Sequence, residues 1–139
     1  MGSRIKLSLR SDPRFLKAVR GLVRRLCELG GLSQQESWEV TLAVDEALSN
    51  IIRHGYGGET DKPIIMTCEL EEGRLEFTLE DFGRPVEREE VAPREPAGLG
   101  LGGLGLHFIR SVMDEVDYQK GSPRGTRLRL VKSHSERGG

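Results

Sequence analysis

Cysteine, aromatic side chains and net charge are all scarce in this 139-residue sequence. Its two cysteines, Cys27 and Cys68, are too few for a disulfide framework and too far apart for a metal knuckle. They read as buried, reduced thiols. The three histidines, His54, His107 and His134, share no metal-ligand spacing. Lys and Arg number 21 against 22 Asp and Glu, a net charge of -1, which gives no electrostatic case for binding nucleic acid or an anionic membrane. No run approaches the ~20 apolar residues of a membrane span, and the N-terminal MGSRIKLSLRSD lacks the apolar core of a signal peptide. A cytoplasmic location is the expectation. The length suits one domain of the usual ~100–150 residues, expected to occupy 1–139 with a core of about 5–132 and a frayed tail at 133–139.

What is abundant is charge, at 31% of residues, and glycine, at 18 residues. RIKLSLR alternates Ile5, Leu7 and Leu9 with polar neighbours, the period of a half-buried strand. Ser11 or Asp12 followed by Pro13 starts a helix whose apolar stripe is Phe15, Val19, Leu22, Val23, Leu26 and Leu29, ending at a glycine pair. Ser33 and Glu36 form a capping box for a second helix, which runs through Trp38, Leu42, Val44, Leu48, Ile51 and Ile52 to Gly55. PIIMTCELEEGRLEFTLED is a hairpin turning at Glu72 and Gly73. Residues 81–102 form a loop long enough to be functional. GLGLHFIRSVMDE is a third helix, and VDYQKGSPRGTRLRLVK holds two further strands. The fold class expected is α+β: a mixed, mostly antiparallel sheet covered on one face by three helices, a two-layer sandwich.

Three clusters carry possible chemistry. Glu46 and Asn50 are spaced i and i+4, within ~5–6 Å on one helix face. A carboxylate beside an amide oxygen suits a hydrated Mg²⁺ that takes its other ligands from water and phosphate, and the carboxylate also suits a general base. By itself the pair reads first as an ordinary solvated helix face. LEDFGRP places Asp81 at a strand end before Gly83, where an acceptor-only carboxylate suits an amino group such as that of adenine; by itself it is also a plain turn. GLGLGGLGLHFIR leads clustered glycines into a helix, a plausible phosphate cradle. It contains G-x-G-x-x-G, but after a long polar loop rather than after an early strand, so it is not a dinucleotide fingerprint, and no Walker loop is present.

In order along the chain, these motifs resemble the nucleotide site of the Bergerat-fold, histidine-kinase-like ATPase superfamily. VDEALSNIIRHGYG, EDFGRP, and GGLGLHFIRSVMDEVDY followed by GTRLRLVK are most similar to the small anti-sigma factor serine/threonine kinases of bacteria. The resemblance covers about residues 5–132. It implies ATP and Mg²⁺ as cofactors, with Asn50 as metal ligand and Glu46 as catalytic base. It implies Asp81, with Gly83 and Thr126, at the adenine, and Gly103 and Gly105 at the phosphates, with His54 and Tyr56 in support. Arg84-Pro85 departs from the family's D-x-G-x-G, and Arg88 and Arg94 are candidate lid contacts. The resemblance further implies a STAS-domain anti-sigma antagonist as substrate, a sigma factor as a second partner and a homodimer; the basic face of Lys17, Arg20, Arg24 and Arg25 is a candidate partner contact, and by itself a solvated helix face. Two alternatives stay open: an ATP-dependent binding switch without catalysis, and a detached histidine-kinase ATPase domain.

Overall fold

A computed structural model describes residues 2–83, 101–121 and 124–134. The strands are β1 (Ser3–Arg10), β2 (Pro63–Glu71), β3 (Arg74–Asp81), β4 (Glu115–Lys120) and β5 (Thr126–Ser133). They form one sheet in the order β1-β2-β3-β5-β4. Every pair in it is antiparallel, so the expected mostly antiparallel sheet has no parallel pair among the described residues. The helices are α1 (Leu16–Leu29), α2 (Gln34–Asn50) and α3 (Leu101–Val112). A 3-10 turn at Pro13–Phe15 precedes α1, and a π-helical turn at Ile51–Gly55 extends α2.

Strand period sets the two faces of the sheet. Leu75, Phe77 and Leu79 of β3 lie opposite Lys132, Leu130 and Leu128 of β5, and the apolar members of this set are buried beneath the helices. On the other face Arg129 bridges Glu76 and Glu115, each at 3.0 Å, so that face is a solvated charge ladder. The β2–β3 turn is the two-residue Glu72-Gly73 expected, with Gly73 at φ 75°, a conformation glycine adopts without steric cost. Burial pushes the Cys27 and Cys68 thiols up to about 12, in keeping with inert core residues.

The capping box is present as read: the Ser33 hydroxyl accepts from the Glu36 N–H at 3.0 Å, and the Glu36 carboxylate accepts from the Ser33 N–H at 2.9 Å. The apolar stripes are narrower than the sequence suggests. Phe15, Leu29 and Trp38 are 44%, 77% and 50% exposed, because the sheet and neighbouring helices do not reach the ends of α1 or the outer flank of α2. Leu16 and Cys27 are buried in α1 instead, and Val40, Ala43 and Ala47 in α2. Ser133 and His134, at the end of the described residues, are tied to the fold. Ser133 N–H donates to Asp114 at 2.6 Å, His134 N–H donates to the Gly73 carbonyl at 2.8 Å, and the His134 ring meets Glu36 at 3.1 Å.

Candidate functional site

The π-helical end of α2 joins the two halves of the site. Glu46 and Asn50 share the face that also carries Arg53, at i+7 and i+3 from them. The Arg53 guanidinium Nη2 donates to Asn50 Oδ1 at 2.7 Å and lies 3.4 Å from Glu46 Oε2. The amide oxygen and the carboxylate therefore converge on one cation. Asp45 points away, into an ion pair with Arg20 of α1 at 3.1 Å, which explains an acidic residue that the site does not use.

Gly105 presses on Glu46 from α3. A Cβ there would fall 2.7 Å from Glu46 Cδ and overlap Oε2, so a larger residue would push this carboxylate aside. Gly103 and Gly105, read from sequence as the entry to the helix, both lie within it. Gly103 stands near the first described residue of the helix. Gly105 stands one turn further in, and its glycine identity answers to Glu46.

The other half is built at the end of β3. Asp81 is 3% exposed and lies opposite Thr126. Its Oδ1 accepts from the Gly83 N–H at 3.1 Å. Burial pushes the Asp81 carboxyl up, while the Gly83 and Thr126 backbone donors pull it down. Gly55, the last residue of the π turn, stands against this carboxylate, where a Cβ would lie 3.6 Å from Oδ1. Gly83 packs on the Gly55 carbonyl, and a Cβ on Gly83 would meet Tyr56 Cδ1 at 2.8 Å. Gly125 has φ 94° and faces the Asp81 backbone so closely that a Cβ would sit on the Asp81 carbonyl oxygen. Tyr56 ties the corner: its hydroxyl donates to the Pro63 carbonyl at 2.6 Å and accepts from the Phe82 N–H at 2.8 Å.

Sequence reasoning underrated Tyr56 and missed Arg53. Arg53 had a signal in its spacing, since i+3 and i+7 fall on the Glu46–Asn50 face. Tyr56 had none, because its partner Phe82 is far along the chain. His54 is exposed. Arg88 and Arg94 lie outside the described residues.

No cluster of three or more His, Cys, Asp or Glu side chains suited to a metal occurs among the described residues. The donor set nevertheless fits Mg²⁺, which typically takes only one or two protein oxygens and fills its shell with water and phosphate. Convergence of Asn50 Oδ1 and Glu46 Oε2 on the Arg53 cation shows that both oxygens are oriented for positive charge. From Glu46 to Gly55 the helical segment covers about 13 Å at ~1.5 Å per residue, which sets the spacing between the Glu46–Asn50 pair and the buried Asp81 carboxylate.

Two layers, with polar groups gathered where the helix end meets the ends of β3 and β5, define an ATPase-type α+β module. The chain belongs to the histidine kinase-like ATPase domain family, whose model matches residues 9–132. It is 28% identical over 124 residues to the serine-protein kinase RsbW of Listeria innocua, covering 84% of this chain and 79% of that protein. It is 28% identical over 109 residues to the anti-sigma F factor of Oceanobacillus iheyensis, covering 75% of this chain and 74% of that protein. Among solved structures, the RsbU and RsbW domains of Rv1364c from Mycobacterium tuberculosis match with a TM-score of 0.69 at 17% identity, over 98% of this chain and 34% of that one. A blue-light activated histidine kinase of Erythrobacter litoralis matches with a TM-score of 0.60 at 20% identity, over 85% of this chain and 41% of that one. The chain thus spans well under half of either solved chain, and these two likenesses concern the fold. The family resemblance and the two-layer fold expected from the motifs are both met.

Proposed function

We propose that the protein is an ATP-dependent serine/threonine protein kinase of the anti-sigma factor type. It transfers the γ-phosphoryl group of ATP to a hydroxyl on a STAS-domain antagonist and holds a sigma factor or related regulator. The observation that carries this reading is the convergence of Glu46 and Asn50 on a cation, joined by the π turn to the buried Asp81 carboxyl. The names of the RsbW and anti-sigma F relatives support it.

Each residue has a task. Asp81 accepts a hydrogen bond from the adenine amino group, and Thr126 and Gly83 hold that carboxylate in place. Asn50 supplies an oxygen to Mg²⁺, and the N–H groups of the first turn of α3, Gly103 among them, face the phosphates. When bound, Mg²⁺ neutralises charge on the phosphate oxygens. Glu46 takes the proton of the attacking hydroxyl as its oxygen bonds to the γ-phosphorus. The bond from that phosphorus to the bridging oxygen breaks, and ADP leaves. Gly105 packs where it fixes Glu46 for this step.

A binding-only switch is the second reading, favoured by the Arg53 contact that ties up Glu46. Self-association belongs to the main reading, and the edge position of β1 with exposed Ile5 and Phe15 supports it. A cytoplasmic setting fits the same reading, and no helix among the described residues is long and apolar enough to cross a membrane.

The test has two parts. Mg-ATP should raise the melting temperature of the wild type but not of Asn50→Ala or Asp81→Asn; no shift for the wild type removes the nucleotide reading. Radiolabelled γ-phosphate should pass to a STAS-domain protein encoded beside this one and fail to pass with Glu46→Gln. Complex formation that needs ATP and survives Glu46→Gln, with no transfer by the wild type, would establish the binding-only switch.

A further inference from the structure

The structure assigns to Arg53 a place at the metal position: we infer that its guanidinium and Mg²⁺ are alternative occupants of the Asn50 oxygen, so that Arg53 sets the Mg²⁺ concentration at which the site loads nucleotide. The inference rests on the nucleotide-binding reading above and adds to it Arg53, to which the sequence reading gave no role.

The geometry makes the two occupants compete for one oxygen. Asn50 Oδ1 is the only metal-ligating atom of that side chain, since the amide nitrogen is a donor. Arg53 Nη2 holds that oxygen at 2.7 Å. A magnesium ion would sit ~2.0–2.1 Å from the same oxygen and demand near-octahedral space for its waters. One oxygen would then carry a guanidinium and a divalent ion within about 4–5 Å of each other, with the single negative charge of Glu46 facing both. Glu46 is already engaged, its Oε2 lying 3.4 Å from Arg53. It is also confined on its other side by the α3 backbone at Gly105, so it has little freedom to serve two cations in different places.

Arg53 is also built to leave. Its side chain is 45% exposed, whereas Glu46 is at 30%. It sits on the π-helical turn at Ile51–Gly55, with water on one side and the oxygen pair on the other. The long, flexible stem lets the charged head swing into solvent without disturbing the core beneath. With Arg53 in place, the two site oxygens keep a cation partner and hold their orientation toward positive charge. Once the stronger cation arrives with phosphate, the guanidinium is released.

The experiment follows binding of a fluorescent N-methylanthraniloyl ATP as Mg²⁺ is titrated, with wild type, Arg53→Gln and Arg53→Ala. Both variants should fold, because the residue lies outside the core, and urea unfolding checks this. The expected result is a fall in the Mg²⁺ midpoint of about fivefold in both variants, the scale of one partly exposed ion contact. Nucleotide binding in EDTA should be unchanged or weaker in the variants. An unchanged midpoint, or a higher one, overturns the inference while the wild type's Mg²⁺-dependent binding leaves the nucleotide reading standing. If the wild type binds no nucleotide at any Mg²⁺ concentration, both fall together.

Discussion

Removing one oxygen atom from Tyr56 tests whether the site corner is held as the structure indicates. The hydroxyl makes two hydrogen bonds, to the Pro63 carbonyl at 2.6 Å and from the Phe82 N–H at 2.8 Å. These bonds connect the end of the π turn, the start of β2 and the residue after Asp81. Tyr56→Phe keeps the ring, and so keeps its packing against Gly83, but leaves one carbonyl and one N–H without this partner. At ~1–1.5 kcal/mol for each half-buried group so orphaned, the loss is about 2–3 kcal/mol. For a chain of this length that corresponds to a melting temperature lower by about 7–10 °C.

Because Phe82 follows Asp81 directly, the strand end loosens at the carboxylate that is to read adenine. Nucleotide affinity should fall by about tenfold, equivalent to ~1.4 kcal/mol. Urea unfolding monitored by circular dichroism gives the first quantity, and titration with a fluorescent nucleotide the second. A destabilisation below about 0.5 kcal/mol, the range of a surface substitution, would refute the proposed role of the hydroxyl. Full destabilisation with unaltered affinity would instead show that the corner is structural only.

Two further substitutions separate stability from chemistry. Gly105→Ala should leave stability within about 1 kcal/mol, because the gain in helix propensity offsets the contact with Glu46; yet it should slow single-turnover phosphoryl transfer by up to ~10²-fold, since the displaced Glu46 no longer meets the hydroxyl. An undiminished transfer rate would separate Glu46 from the proton. Asp81→Asn tests the buried charge through pH. Burial raises the folded Asp81 carboxyl above its unfolded value, so the native state holds the proton more tightly and its stability falls as pH rises from the unfolded value through the raised one. The asparagine variant lacks this loss. Its melting temperature relative to wild type should climb as pH rises from about 4 and then level off, and a pH-independent difference would show that the carboxyl is not desolvated.

Much of the fold was legible because its signals are local. The alternation in β2 and β3, the Glu72-Gly73 turn and the Ser33–Glu36 capping box each depend on residues within a few positions of one another, and each appears where the pattern places it. The helix stripes were legible in direction but not in extent. Periodicity shows which side of α1 and α2 is apolar, while exposure of Phe15, Leu29 and Trp38 depends on where neighbouring elements stop. The partner of Asp45, Arg20, lies in another helix, and no spacing could reveal it. The same limit hid the corner at Tyr56. Its bond to Phe82 spans 26 positions and exists only because β3 ends beside the π turn.

The glycines show how the two halves of the site are kept apart in their assembly. Composition alone suggests that a glycine-rich chain is flexible near its ligand, but at Gly83, Gly105 and Gly125 an added Cβ would strike another part of the site itself. Gly83 meets the Gly55 carbonyl and Tyr56, and Gly125 meets the Asp81 backbone, so the Asp81 half is set by the π turn and the sheet. Gly105 meets the Glu46 side chain first, so the Glu46 carboxylate is set by how α3 lies on α2. The two halves therefore answer to different neighbours. A change in the seat of α3 should alter transfer while Asp81 still reads its ligand, and a change at Tyr56 should weaken ligand reading without moving Glu46. In this arrangement affinity and chemistry respond to separate substitutions although both are carried along one helix.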